Sequence, residues 1–336
     1  MIGEQLSETA IVIILLVALV LPVSAQQHTL SLEGPAGFVP PPIHPEGVTL
    51  RTKPLGNNVY ALLSNHRLVD NSGFIVGERG VLVIDAHING DMAQQIQDAV
   101  GRVTQKPILY LVNTNYHGDH TFGNYAFPSE TIIVAHRETA RHMQHFEEER
   151  KLLLATVNDD ATVFDGVELR LPNVEFEDHI RLDLGGRYVD VYHFGPGNTA
   201  GDTVVYEPQT QTAWTGNLVI GEGTIPFLIE GRPGAYLETI SRFARTLEVR
   251  TIIPGHGIPT TAAIFGRYVR YLTELIEFVR EANRSGYSLA TALKNELGPE
   301  YEMPQDSPLA AAWPLVQGFH KWNLQKAFLE SARSKN

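Results

Sequence analysis

Four short polar clusters, each directly following a run with strand character, constrain this chain more than any other feature. PILYLVNT leads into NTNYHGDHTFGN (113–124), RYVDVYHFG into GPGNTAGD (195–202), TAW into TGNLV (215–219) and RTII into PGHG (254–257). β-Branched and aromatic residues that give way to Gly, Asn, Asp and His mark a strand ending in a loop. Loops at one edge of a sheet bring together residues that are far apart in the chain. The first cluster sets His117, Asp119 and His120 within four residues, the density of a metal site. One such cluster cannot complete a metal shell, so the distant clusters must contribute.

The types of donor are limited. The chain has no cysteine, so any transition-metal site is built from His, Asp, Glu and weaker donors, with 13 histidines to draw on. A net charge of −12 argues against a nucleic-acid partner and offers no polybasic anchor for an anionic membrane. Nothing in the sequence sets the oligomeric state.

Four segments are expected along the 336 residues. Residues 1–25 read as a signal peptide, with an apolar stretch inside Ala10–Ala25 and small residues Val23, Ser24 and Ala25 before Gln26. This implies a periplasmic or secreted protein with no membrane contact after cleavage. The leading segment carries Glu4 and Glu8 and no Lys or Arg, which leaves an uncleaved anchor as the alternative. Residues 26–57, rich in Pro and Gly, read as an extended lead-in. Residues 58–261 alternate strands and helices as an α/β domain, and 262–336 form a helical extension. Within the domain, GERG is a turn between two strands, Asn89 caps a helix running to Arg102, and 137–156 read as one long helix.

NSGFIVGERGVLVID, NTNYHGDHTFGN, GPGNTAGDTVVY, WTGNLV and IIPGHG, in this order, resemble the metallo-β-lactamase-fold hydrolase superfamily. The resemblance implies a four-layer αββα sandwich. Its first motif reads H-x-H-x-D-H, and carried over it implies a first metal at positions 115, 117 and 198. A second metal would sit at 119, 120 and 256, with 217 bridging. His117, Asp119, His120 and His256 are kept as implied metal ligands, while Asn115, Asn198 and Asn217 occupy three ligand positions. Both missing imidazoles belong to the first site and the missing carboxylate is the bridge, so one zinc per chain is expected, with iron as the alternative. Asp119 is the implied catalytic residue, binding the metal and orienting water, and Asp85 an implied support behind the ligands. The three asparagines are expected to donate hydrogen bonds to a substrate oxyanion. The expected function is hydrolysis of a small-molecule ester, thioester, lactone or amide. A ligand- or partner-binding module that has lost catalysis is the rival.

Other polar residues read as structural. His193 is expected to pack or bond locally, Asp202 to brace its loop, and His142 and His145 to line a solvated helix face. Trp313, Phe319 and Trp322 either cover a site mouth or pin the last helix. Tyr268, Leu272, Leu275 and Phe278 recur at helical spacing as a core stripe.

Overall fold

The computed structural model describes residues 34–303, 305–306 and 310–333, so the expected signal segment lies outside the described residues. The first sheet takes its seven strands in chain order. They are β1 (Leu50–Gly56), β2 (Val59–Ser64), β3 (Ser72–Val76), β4 (Val81–Ile84), β5 (Ile108–Asn113), β6 (Ile132–His136) and β7 (Val174–Phe176). Pairing is antiparallel from β1 to β4 and parallel from β4 to β7. The second sheet holds β8 (His179–Asp183), β9 (Tyr188–Tyr192), β10 (Val204–Glu207), β11 (Thr212–Trp214) and β12 (Thr251–Ile253), with β12 parallel to β11.

The period-2 pattern of each strand sorts its side chains between two cores. Ala61, Ile75, Leu82, Ile84, Val112 and Val134 meet Val189, Val191, Val205, Trp214 and Ile253 of the second sheet. Their neighbours Leu62, Phe74, Val81, Val83, Leu111 and Ile133 face the opposite way. Gly73 is fixed by this packing, because a Cβ there would stand 2.3 Å from the Trp214 indole nitrogen. The Trp214 Nε1–H in turn donates to the Ser72 carbonyl across the sheets at 3.3 Å.

The outer layers are helical. α1 (Gly90–Val103) begins where the Asn89 side chain accepts from the Met92 N–H at 3.1 Å, and its Met92, Ile96 and Val100 join the outer core of the first sheet. After α2 (Gly118–Thr121), the expected long helix divides into α3 (Arg137–Met143) and α4 (Phe146–Leu154). Neither Gly nor Pro marks the break at Gln144 and His145, so local sequence gave no sign of it. α5 (Pro233–Thr246) and α6 (Ile264–Arg284) cover the second sheet, where Phe243 stacks on Phe194 at 5.0 Å and meets Phe265 at 4.8 Å. Tyr268, Leu272 and Leu275 of α6 are buried, as the stripe predicts. α7 (Leu289–Ala292) and α8 (Trp313–Arg333) complete the helical extension.

The lead-in requires a correction. Its last residues, Leu50–Gly56, form the edge strand of the first sheet. Pro54 and the flanking Pro-rich stretch disguised it, yet an edge strand tolerates a proline that an inner strand would not. Two of the three aromatics of α8, Trp322 and Phe319, pin the helix. The Trp322 Nε1–H donates to the Leu228 carbonyl at 2.6 Å, Phe319 stacks on Phe227 at 4.3 Å, and Leu228 N–H donates to Asn323 at 2.9 Å.

Candidate metal centre

The site grows from strand ends. Asp85, directly after β4, has a left-handed backbone (φ 59°) that turns its carboxylate back along the strand. There it accepts from the Thr114 N–H at 2.8 Å and the Thr114 hydroxyl at 2.7 Å, and meets His120 Nδ1 at 2.9 Å. The loop after β5 is closed by paired amides, Asn113 donating to Asn124 at 3.0 Å and Asn124 returning a bond at 2.9 Å. Between these pins the single turn of α2 presents Asp119 and His120. The loop after β12 brings His256, whose Nδ1–H donates to the Leu68 carbonyl at 2.8 Å. That bond points His256 Nε2 at Asp119 Oδ2, 3.2 Å away.

A fourth side chain enters this space. Asp70, from the loop between β2 and β3, lies 3.3 Å from His256 Nε2 and 3.1 Å from His120 Nδ1. Asp70, Asp119, His120 and His256 each offer a ligand atom within 4.8 Å of the others. This donor set, two imidazoles and two carboxylates, suits a zinc or iron cation. The sequence reading missed Asp70, because a lone acid ahead of a strand carries no motif. Its burial is the only signal, and that is a tertiary property.

Residues 115, 117 and 198 are arranged differently. His117, expected as a ligand, stands outside the four-residue group. Its Nδ1 lies 3.1 Å from Glu149 Oε1 and its Nε2 3.3 Å from Asn198 Oδ1. Glu149, in an acidic run of α4, shares a helix face with Phe146 and Leu153 and is buried beside Gly118, whose N–H it also accepts. The Asn115 side-chain oxygen accepts from the His117 N–H at 2.9 Å, while its Nδ2 is buried without a partner. Asn198 spends its Nδ2–H on the Phe227 carbonyl at 2.7 Å, and Asn217 turns its oxygen to His120 Nε2 at 3.2 Å. Of the three expected oxyanion donors, Asn198 has given an amide hydrogen to Phe227, while the Asn115 Nδ2 makes no hydrogen bond among the described residues.

Charge follows from this geometry. Both ring nitrogens of His120 and of His117 face oxygen acceptors, so without a cation each ring carries a proton. Burial opposes the His120 charge, but Asp70, Asp85 and Asp119 outweigh it and hold its pKa well above the ordinary value. Burial likewise opposes the charge on His117, and Glu149 raises its pKa. Burial works against ionised Asp119, yet His120 and His256 keep it below the usual carboxylate range.

The remaining residues resolve as follows. Asp202 braces its loop, accepting from the Asn198 N–H at 2.5 Å and the Thr199 hydroxyl at 2.7 Å. His193 bonds the Asp202 carbonyl at 2.8 Å and stacks on His136 with ring centres 3.9 Å apart. His142 departs from the solvated-face reading. Its side chain is largely buried, 3.0 Å from Glu230, which also accepts from the Tyr116 hydroxyl at 3.1 Å.

A family model for the metallo-beta-lactamase superfamily matches residues 67–256, which take in Asp70, the first three clusters and the fourth as far as His256. The chain belongs to the metallo-beta-lactamase superfamily. Membership points to a metal-dependent hydrolase acting on a small molecule, and the superfamily typically binds metals such as zinc. Solved structures share the fold. A metallo-beta-lactamase from Pontibacter korlensis is 17% identical, with a TM-score of 0.52 over 67% of this chain and 99% of that one. The metallo-beta-lactamase FIM-1 from Pseudomonas aeruginosa, in a mono-zinc form, is 15% identical, with a TM-score of 0.55 over 69% and 97%. The stereoselective inverting sec-alkylsulfatase Pisa1 from Pseudomonas sp. is 15% identical, with a TM-score of 0.64 over 84% of this chain and 50% of that one. As a superfamily member, this chain departs from the first-motif pattern at position 115 and fills its first-site region with a His117–Glu149 pair.

Proposed function

We propose that this superfamily member is a hydrolase working with one cation, zinc in preference to iron, held by Asp119, His120 and His256. Its substrate is an ester, thioester, lactone or amide of a small molecule. The observation that carries the reading is the split between the two halves of the site. The retained donors converge within 4.8 Å, whereas His117 is committed to Glu149 and Asn198.

A divalent cation bound there supplies Lewis acidity to the substrate carbonyl and lowers the pKa of water toward neutrality. The chain's own groups do the rest. Asp119 stays ionised, so it can hold the cation and accept a hydrogen bond that orients water. Asp85 fixes the His120 ring from behind through Nδ1, which leaves Nε2 as the donor atom. The unpartnered Nδ2–H of Asn115 is free to donate to oxygen charge developing on the substrate.

Elemental analysis of the purified chain, paired with a panel of small esters, thioesters, lactones and amides, tests this reading. About one metal per chain is expected, and Asp119→Ala should remove it and lower hydrolysis by roughly a hundredfold or more. Two metals per chain would refute the single-cation reading. A chain that stays metal-free and inactive after zinc reconstitution would favour the non-catalytic binding module.

A further inference from the structure

Asp70 stands out among the buried acids of the described residues for its lack of hydrogen bonds. It is 1% exposed, and neither carboxylate oxygen accepts a hydrogen bond, although two imidazoles approach it. His120 cannot supply the missing partner. Its Nδ1 carries a single hydrogen, and Asp85 meets that nitrogen at 2.9 Å with hydrogen-bond geometry. His256 does not supply it either: its Nδ1–H is committed to Leu68, and its Nε2, 3.2 Å from Asp119 Oδ2, makes no hydrogen bond with Asp70. A buried, ionised carboxylate without donors is heavily penalised unless a cation completes it.

The loop that carries Asp70 is built to hold it in place. The Asn71 N–H donates to the Gly255 carbonyl at 2.5 Å, and the Asn71 Nδ2 donates to the Pro254 and Gly257 carbonyls at 3.0 Å each. The Gly257 N–H returns a bond to the Arg67 carbonyl at 2.8 Å. From the other side, His87 Nε2 bonds the Asp70 carbonyl at 2.9 Å. Asp70 and His256 are therefore fixed relative to each other by backbone on both sides, as preorganised ligands must be.

We propose that Asp70 is the fourth protein ligand of the metal, supplying from the β2–β3 loop the carboxylate that Asn217 no longer supplies from the loop after β11. The proposal rests on the single-cation reading above. It adds that the site's second negative charge has moved to a different part of the chain, so two aspartates and two histidines hold the ion.

Zinc and cobalt(II) titrations of the metal-stripped chain, followed by calorimetry and by cobalt absorption, test it. Asp70→Asn should weaken binding about tenfold or more and change the cobalt spectrum. The double variant Asp70→Asn/Asn217→Asp should recover much of the affinity. Asn217→Asp alone, which does not depend on the first variant folding, should change affinity less than about threefold, since a second carboxylate is already present.

Unchanged affinity in folded Asp70→Asn would overturn the proposal. A gain of tenfold or more in Asn217→Asp alone would do the same. A parent chain that takes up no metal fails the single-cation reading itself, and that is seen before any variant is made.

Discussion

At the scale of single residues, the site depends on groups that touch no substrate. Asp85 holds the Thr114 backbone, the Thr114 hydroxyl and the His120 ring with one carboxylate, from a left-handed backbone. Replacing it with Ala leaves those donors buried and unpaired at about 1–3 kcal/mol each, and asks Ala to adopt a φ it disfavours. Asp85→Ala should destabilise the chain by roughly 3–5 kcal/mol, read as a lower urea midpoint, and weaken metal binding about 10–100-fold. Asp85→Asn, which tolerates the left-handed backbone, should cost less on both measurements. What was legible at this scale was what chain adjacency encodes: His117, Asp119 and His120 in one loop, and His256 in another. Asp70 and Glu149 were not legible, because an acidic residue becomes a ligand or an ion-pair partner only through what folds around it. The same holds for His117, whose commitment to Glu149 depends on the orientation of a helix some 32 positions further on.

At the scale of elements, the hydrophobic period located most strands and the caps located α1, while the errors fell where packing overrode local pattern. The division between α3 and α4 is one of these, since it turns Glu149 toward His117 without any breaker residue. The edge strand β1, hidden by prolines, is another. Within the helical extension, α8 meets α6 at His320, whose Nδ1 faces the Tyr271 hydroxyl at 3.2 Å and whose Nε2 faces Asn295 at 3.1 Å. Burial, helped by neighbouring Lys321, lowers the His320 pKa to about 4. The folded chain therefore binds this proton less readily than the unfolded chain, whose histidine titrates near 6.5. The contribution to stability is complete above roughly pH 6.5, declines as the pH falls, and is lost below about 4, amounting to on the order of 3 kcal/mol. Urea unfolding of the parent and of His320→Gln across this window should show the extra loss in the parent alone. Parallel curves would exclude His320 as its source.

At the scale of the whole molecule, the two sheets share the site as well as the core between them. Asp70, Asp119 and His120 come from loops of the first sheet, while His256 follows the last strand of the second. A cation that binds only this folded arrangement stabilises it by mass action, about 2.7 kcal/mol at a free concentration one hundred times the dissociation constant. Calorimetry should show the unfolding temperature rise by several degrees with zinc and fall on chelation. No shift would mean that the donors do not bind zinc in the folded chain. The fold class was fully legible at this scale because five motifs in order constrain topology strongly, whereas side-chain ion pairs within the site left no comparable trace.

The sequential order of the first sheet also sets a timetable for biosynthesis. Each of its strands pairs with the one made just before it, so that sheet can assemble while the chain is still emerging from the ribosome. Asn71 is translated 186 residues before the Gly257 carbonyl it must grip. Throughout that interval the first-sheet carboxylates have neither the imidazole of His256 nor the backbone clamp that aligns them. A nascent chain thus has three of the four candidate donors and no finished cage until the final strand has docked.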